Sequence, residues 1–472
     1  RRLYLPRGKT LGGCSSTNAM AYVRGNRADY DEWAALGNAG WSYGEELPYF
    51  KRSEHNEQIH NDYHGQEGEL NVTFNKGYRT PVADAFVQAC VEKGLPENHD
   101  YNGAEQMGAG LFQFTIKNFK RHSTARAFLV PATKRPNLKV ITKALTRRIL
   151  VENDRATGVE FMTGSGSSQT AYAAKEVILS AGSFNSPQLL MLSGIGEAEE
   201  LKKHGIPLKK HLPGVGKNLQ DHLFLPVSSL ATIPLANNEL SFTRQLMGLL
   251  NYGLFKKGPM NLAPLESVAF LKLTDSPDPV DFQFHFSPIH LGNDYKGDLY
   301  DINTFPRTSG YTILPTLLKP KSRGYVALRS ANPTDAPLIQ PNFLSEEDDL
   351  KTLLAGTKKA IELMEAQAFA PFRKEIIAPP DRNSDEALIL HIKKTLETVY
   401  HPVGTCMMGR DDMAVVDEQL RVHGIEGLRV VDASIMPRII AGNTNATAIM
   451  IGEKGADLIL GKVIEQSVVA SE

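Results

Sequence analysis

The chain has 472 residues, with 52 Lys and Arg against 53 Asp and Glu and a formal net charge of -1. That balance excludes a general electrostatic drive toward nucleic acid, so the expected ligand is a small molecule. Hydrophobic residues at 42% and charged residues at 22% are ordinary for a folding chain of two or three domains, and no apolar run approaches the ~20 residues of a membrane-spanning helix.

Taken from its start, the chain opens Arg1-Arg2-Leu3, without methionine or signal peptide, which raises the expectation that residues upstream are missing. Gly8 to Gly25 (GKTLGGCSSTNAMAYVRG) is rich in Gly, Ser and Thr and reads as a loop leading into a short helix. His55, His60 and His64 fall in a polar loop without supporting second-shell residues, so no metal is expected there. Between Asn137 and Gly158 apolar residues alternate and meet a Glu-Asn-Asp turn, predicting hairpin strands. A second pair, Thr157 to Met162 and Thr170 to Ala173, flanks the flexible tip at Gly164 to Ser168. Glu176 to Ser180 (EVILS) is a continuous apolar run of the kind buried on both faces of a parallel sheet. Ser186-Pro187 then supplies a cap and first-turn proline for a helix over QLLMLSG.

From Pro226 to Glu397 the texture changes to long loops, the proline-rich TDSPDPVDFQFHFSP at Thr274 to Pro288, and a helical pattern over Lys351 to Ala366. The α/β grammar returns with a buried strand, GLRVVDAS, ending at Asp432. A helix follows over Asn445 to Leu460, with Ile449, Gly452, Ala456 and Ile459 on one face. Three cysteines, Cys14, Cys90 and Cys406, are too few for a disulfide framework and are compatible with a reducing compartment.

Five co-linear motifs resemble the glucose/methanol/choline (GMC) oxidoreductases. They are the Gly8 to Gly25 run; Gly182 to Gly196 (GSFNSPQLLMLSGIG) with LPGVGKNLQDH after it; KSRGYVALRS at Lys321 to Ser330; HPVGTCMMG at His401 to Gly409; and Val431 to Lys454. The resemblance implies an α/β plus α+β fold, a Rossmann-like FAD-binding domain interleaved with a mixed-sheet substrate domain. Boundaries are expected at residues 1–225, 226–397 and 398–472. It implies oxidation of a primary alcohol to the aldehyde by hydride transfer to FAD, choline-dehydrogenase-like in motif spelling, with a quinone-like acceptor or oxygen taking the electrons. A cytoplasmic or peripherally membrane-associated protein, without nucleic-acid partners, is expected.

Removing a hydride from an alcohol requires the hydroxyl proton to leave to a base within hydrogen-bond reach. The resemblance assigns His401 as that base and Asn445 as its partner across the substrate hydroxyl, where Asn445 also caps the last helix. It implies flavin contacts at Gly12, Gly13, Ser15, Ser16, Asn18, Ala19, Met20, Thr146, Ala181, Asp432, Ala433, Thr444, Asn445 and Ala446. Thr17 stands where some relatives attach flavin through histidine, so non-covalent FAD is expected. Glu266, in PLESVAF, aligns loosely with an acidic residue that could pair with a cationic head group, and His222 reads as structural. A cyanohydrin lyase with structural FAD and a non-catalytic fragment are the alternatives. No GxGxxG occurs anywhere: Gly194-Ile195-Gly196 and Gly214-Val215-Gly216 lack the third glycine and the strand-to-helix setting. The expected consequence is a chain that binds FAD poorly by itself and exposes an unpaired sheet edge.

Overall fold

The computed structural model describes residues 2–462 except 165, 257, 259, 260, 262, 294–296 and 299. Two kinds of sheet organise it. In one, Val177–Leu179 pairs in parallel with Leu428–Val430, so residues distant in sequence form one α/β element. EVILS is less enclosed than its apolar run suggests: Leu179 is buried but Ile178 is 39% exposed, because among the described residues its strand has a partner on one edge only. A three-stranded meander of Leu145–Glu152, Arg155–Met162 and Ser168–Tyr172 lies on this side of the molecule; Ser165 of its expected tip is outside the described residues.

The second sheet has eight strands, six of them in the order Arg373–Ala378, Val227–Ala231, Gly310–Leu317, Phe282–Ser287, Ser267–Leu271 and Gly108–Leu111. Its pairings are antiparallel throughout rather than mixed. The strand Gly108–Leu111 comes from well before residue 226, and the helix Pro81–Glu92 packs with it. Phe282–Ser287, inside the stretch read as proline-rich loop, is a fully buried central strand. Its period-2 pattern is the reason: Phe282, Phe284 and Phe286 enter the hydrophobic core, and His285 and Ser287 face the opposite way, into a cavity.

Two helices depart from the sequence pattern. The first runs Gly182–Leu192, five residues earlier than a Ser186 cap and Pro187 first turn suggest, with Pro187 inside it. Proline has no N–H to give the carbonyl of Ser183, and the buried hydroxyl of Thr405 supplies the missing donor at 2.6 Å. Ser183 Oγ in turn donates to Pro402 O at 2.6 Å, so the helix start is clasped to the segment following His401. In the C-terminal helix, Asn445–Leu460, Ile449 is buried as read, but Gly452, Ala456 and Ile459 face solvent. The buried stripe instead includes Met450, Ile451 and Lys454. Lys454 escapes a hydrophobic pattern because its ammonium is paired inside the protein, with Glu46 and over the Trp41 ring at 4.4 Å.

Candidate active site

Between the two sheets lies a cavity of about 1670 Å³. Drug-sized ligands occupy roughly 300–1,000 Å³, so this space accommodates two ligands side by side. His401 stands in its wall, together with Gly13, Asn18, Met20, Asp432 and Asn445. Two loci far apart in sequence therefore share one hollow: the Gly-Ser turn near the start of the chain and the segment at residue 401.

Of the flavin contacts expected, Gly13, Asn18, Ala19, Met20, Ala181, Asp432, Ala433, Thr444 and Asn445 line the cavity. Gly12, Ser15, Ser16, Thr146 and Ala446 do not, and each has another job. Gly12 turns the chain at φ 86° before the short 3-10 helix Gly13–Ser16, where a Cβ would lie 2.5 Å from Ser16 Oγ. Ser15 Oγ donates to Gly12 O at 2.6 Å and bonds Thr124 Oγ1 at 2.9 Å, and Ser16 Oγ donates to Leu11 O at 2.8 Å, so both hydroxyls brace the turn from behind. Thr146 pairs with Phe161 in the meander, and Ala446 is core. At Gly13 a Cβ would meet nothing within 4 Å, which leaves the backbone open to a close ligand. Asn18 Oδ1 accepts from Met20 N at 3.0 Å and from Arg121 at 2.8 Å, holding Met20 in its left-handed φ of 65°. Asp432 is both cavity wall and cap: one oxygen accepts from Gly182 N at 2.8 Å and Ser186 Oγ at 2.5 Å, the other from Ser434 N at 2.8 Å.

Asn445 is not the helix cap. Thr444 holds that place, and Asn445 is the first helical residue. Nor is Asn445 the neighbour of His401: Asn443, two residues earlier, puts its Nδ2 3.3 Å from His401 Nε2. His222 is likewise more than a packing residue, because its Nδ1 lies 3.0 Å from His401 Nδ1. The proton positions follow from the ends of this chain. Ile440 O, 3.0 Å from His222 Nε2, can only accept, so His222 carries its proton on Nε2 and offers a lone pair at Nδ1. His401 must then donate from Nδ1, which leaves Nε2 bare toward the cavity. Gln283 Nε2 donates to Asn443 Oδ1 at 3.4 Å, turning the Asn443 amide nitrogen toward that bare atom.

Electrostatics keep the imidazoles neutral. Burial, reinforced by the neighbouring His222 and His285, holds His401 well below its usual 6.5, although part of its surface opens to the cavity. Burial, helped by the Lys319 charge, lowers His222 to about 3. Asp221 anchors His401 from its backbone side: Oδ1 accepts from His401 N at 2.8 Å and Oδ2 from Thr398 Oγ1 at 2.5 Å, and burial raises its pKa to about 6. Tyr400, just before His401, is held at φ 65°, a left-handed conformation that costs a non-glycine residue about 1–3 kcal/mol.

A third histidine was not singled out from sequence. His285 Nδ1 bonds Thr316 Oγ1 at 3.0 Å, and Thr316 donates to Leu314 O, so His285 is protonated on Nδ1. The residue borders the cavity, but its Nε2 is itself closed off from it and the side chain lies beside Asn443. Alternation within FQFHFS was the signal for it. Glu266 is withdrawn from the site: its carboxyl accepts from Thr80 N at 2.8 Å and from Thr80 Oγ1, next to the Pro81–Glu92 helix, and burial raises its pKa to about 7. Its neighbours Pro264 and Leu265 line the cavity instead. His64 is occupied by Glu54 and Asp100 and His55 by Gln66 O, and no group of three metal-ligating side chains occurs among the described residues. No helix of the described residues is long and apolar enough to cross a membrane.

Comparison with known proteins agrees with this layout. Family models of GMC oxidoreductases match residues 1–224 and 320–452. An alcohol dehydrogenase (acceptor) of Pseudomonas putida is 44% identical over all of this chain and 85% of its own length. The mitochondrial choline dehydrogenase of Homo sapiens is 43% identical over 98% of this chain and 77% of its own. Pyridoxine 4-oxidase from Mesorbium loti superposes with a TM-score of 0.87 at 28% identity, covering 98% of this chain and 86% of the other. These three are dehydrogenases and an oxidase, and nothing in them supports the lyase alternative. The chain belongs to the GMC oxidoreductase family, FAD-dependent enzymes acting on CH–OH donors.

Proposed function

We propose that the chain oxidises an uncharged primary alcohol to the aldehyde, with His401 Nε2 taking the hydroxyl proton. The observation that carries this reading is the directed chain from Gln283 through Asn443, His401 and His222 to Ile440 O, which leaves one bare imidazole nitrogen facing the cavity. A substrate oxygen seated between Asn443 Nδ2 and His401 Nε2 accepts from the amide and gives its proton to the imidazole. Asn443 thereby stabilises the alkoxide that forms, and the depressed pKa of His401 keeps the ring unprotonated at neutral pH.

Gly13, Asn18, Met20, Ala433, Thr444 and Asn445 would hold FAD, which supplies the two-electron acceptor for the hydride. The first N–H groups of the Asn445–Leu460 helix lie at this wall, where a positive helix end favours negative charge on the ligand. Thr17 has no nitrogen nucleophile for a flavin bond, which supports non-covalent attachment. Acid precipitation should therefore leave the yellow chromophore in the supernatant. An uncharged substrate is favoured because Glu266 is tied to Thr80, and the cavity-wall carboxylates are spoken for, Glu239 by Arg244 at 3.1 Å and Asp432 by its caps.

The test is anaerobic reduction of the FAD-loaded protein by a panel of alcohols. A medium-chain primary alcohol should bleach the flavin faster than choline, and His401→Ala should slow bleaching at least ~100-fold with flavin content unchanged, the scale of a lost general base. An undiminished rate in that variant would assign the base elsewhere.

A further inference from the structure

One surface of the molecule is built unlike the rest. The helix Phe242–Phe255 (FTRQLMGLLNYGLF) has no buried residue, yet it is predominantly apolar. Its side chains divide between two jobs. Phe242, Leu246 and Leu249, at helical spacing, stand at the open rim of the cavity and are themselves 81%, 49% and 55% exposed. Met247, Leu250 and Leu254, which share the adjoining face, point outward and are 69%, 58% and 74% exposed. Leaving large aliphatic side chains on water over two helical turns is the mark of a surface made to be covered.

The charge around it is one-sided. The helix carries Arg244 and no carboxylate, and Lys256 follows its last residue, its ammonium 4.6 Å from the Tyr252 ring. Tyr252 Oη donates to Phe119 O at 3.0 Å and so brings a second apolar tip alongside. Phe119 is 41% exposed in a hairpin turn spelled Lys117-Asn118-Phe119-Lys120. Glu239, in the turn before the helix, is taken up by Arg244. Aliphatic residues that insert, aromatic and lysine residues beside them, and cations without free counter-charges match a bilayer with anionic headgroups. A protein partner offers no equal reason for the lysines to ring the apolar tip.

We propose that this face, the Phe242–Phe255 helix with the Phe119 turn, docks peripherally on an anionic phospholipid bilayer. The other face of the same helix walls the catalytic cavity, so docking sets the cavity mouth against the acyl-chain boundary, where an apolar alcohol or a lipid-soluble electron acceptor partitions. The docking surface stands independently of the catalytic reading above.

The test uses the FAD-loaded protein and vesicles of phosphatidylcholine and phosphatidylglycerol at 3:1. The wild type should float with the vesicles in a density gradient and float at least several-fold less with phosphatidylcholine alone. Leu250→Glu/Leu254→Glu should stay at the bottom while reducing a water-soluble dye with a short-chain alcohol at a rate within about twofold of wild type. That retained rate separates lost docking from lost folding or chemistry. Flotation of the double variant equal to wild type, or failure of the wild type to float, overturns the proposal. So does a wild-type dimer in light scattering that the same substitutions dissociate, because a second copy would then cover the face.

Discussion

Because Ile440 O can only accept, the proton positions on His222 and His401 are set from outside the pair, by a residue 218 positions from His222 in sequence. Removing the acceptor while keeping a ring isolates this effect. In His222→Phe the buried Nδ1–H of His401 has no partner, the tautomer is no longer dictated, and kcat should fall about 100-fold with a smaller change in KM. His222→Asn, which restores an acceptor oxygen, should recover part of that loss, and a merely structural role would not separate the two variants. In the wild type the acid limb of kcat/KM should lie below pH 6.5, since burial depresses His401 and the neutral form persists to lower pH. The two asparagines of GNTN also separate by experiment. Asn443→Ala removes the donor to the substrate oxygen and should slow flavin reduction about 100-fold. Asn445→Ala, at the helix start and on the cavity wall, should instead lower flavin occupancy.

At the scale of the element, Pro187 and Thr405 form a single unit although 218 residues separate them. Thr405 is fully buried, so Thr405→Val keeps its shape but strips the donor from Ser183 O, a loss of about 1–3 kcal/mol. Pro187→Ala gives the helix back an N–H for that same carbonyl. In urea unfolding Thr405→Val should therefore cost less in the Pro187→Ala background than alone, with a coupling of about 1 kcal/mol; strict additivity would mean the clasp contributes nothing. The same pair explains why the helix starts before its local signal. Ser-Pro is a good local start signal, and the compensation that lets the helix begin at Gly182 comes from another part of the chain. Motif spelling made the two poles of the cavity legible, the Gly13 turn and His401, because close backbone approach and proton chemistry restrict residue type. Whether Asn443 or Asn445 faces His401 depends on where the last helix begins, and spelling does not fix that register. His222 and His285 became part of the site only through pairings across the sheets, and Glu266 left it because Thr80 holds its carboxyl.

Across the whole molecule, ion pairs tie the early segment to distant ones: Lys454 to Glu46 and Lys319 to Asp29 in the interior, and the partly exposed Arg52 to Glu453 at 2.7 Å. The most enclosed of these networks centres on Arg24 and Glu54. Arg24 bonds Glu54 at 2.6 Å, and His64 lies between Glu54 at 3.1 Å and Asp100 at 2.9 Å. Burial alone would lower the His64 pKa, but bonds to two carboxylates outweigh it and leave it raised above 6.5; the same contacts, with Arg24, hold Glu54 and Asp100 below their usual values against burial. The sign for stability follows. A histidine with a raised folded pKa binds its proton more tightly in the native state, so its contribution is full below pH 6.5 and drains away as pH rises through the folded value. The lowered carboxylates contribute above their unfolded values near 4 and lose that contribution only in acid. On the alkaline side the burden falls on His64, and the melting temperature should decline from pH 6.5 to pH 8.5. His64→Gln keeps hydrogen-bonding capacity without a titratable charge. It should lower stability by about 3 kcal/mol at pH 6, the scale of breaking a buried pair, and by less at pH 8.5, flattening the profile. Equal losses at both pH values, measured by thermal unfolding of the FAD-loaded protein, would show that His64 is neutral in the native state and that its two carboxylates are held by Arg24 and backbone alone.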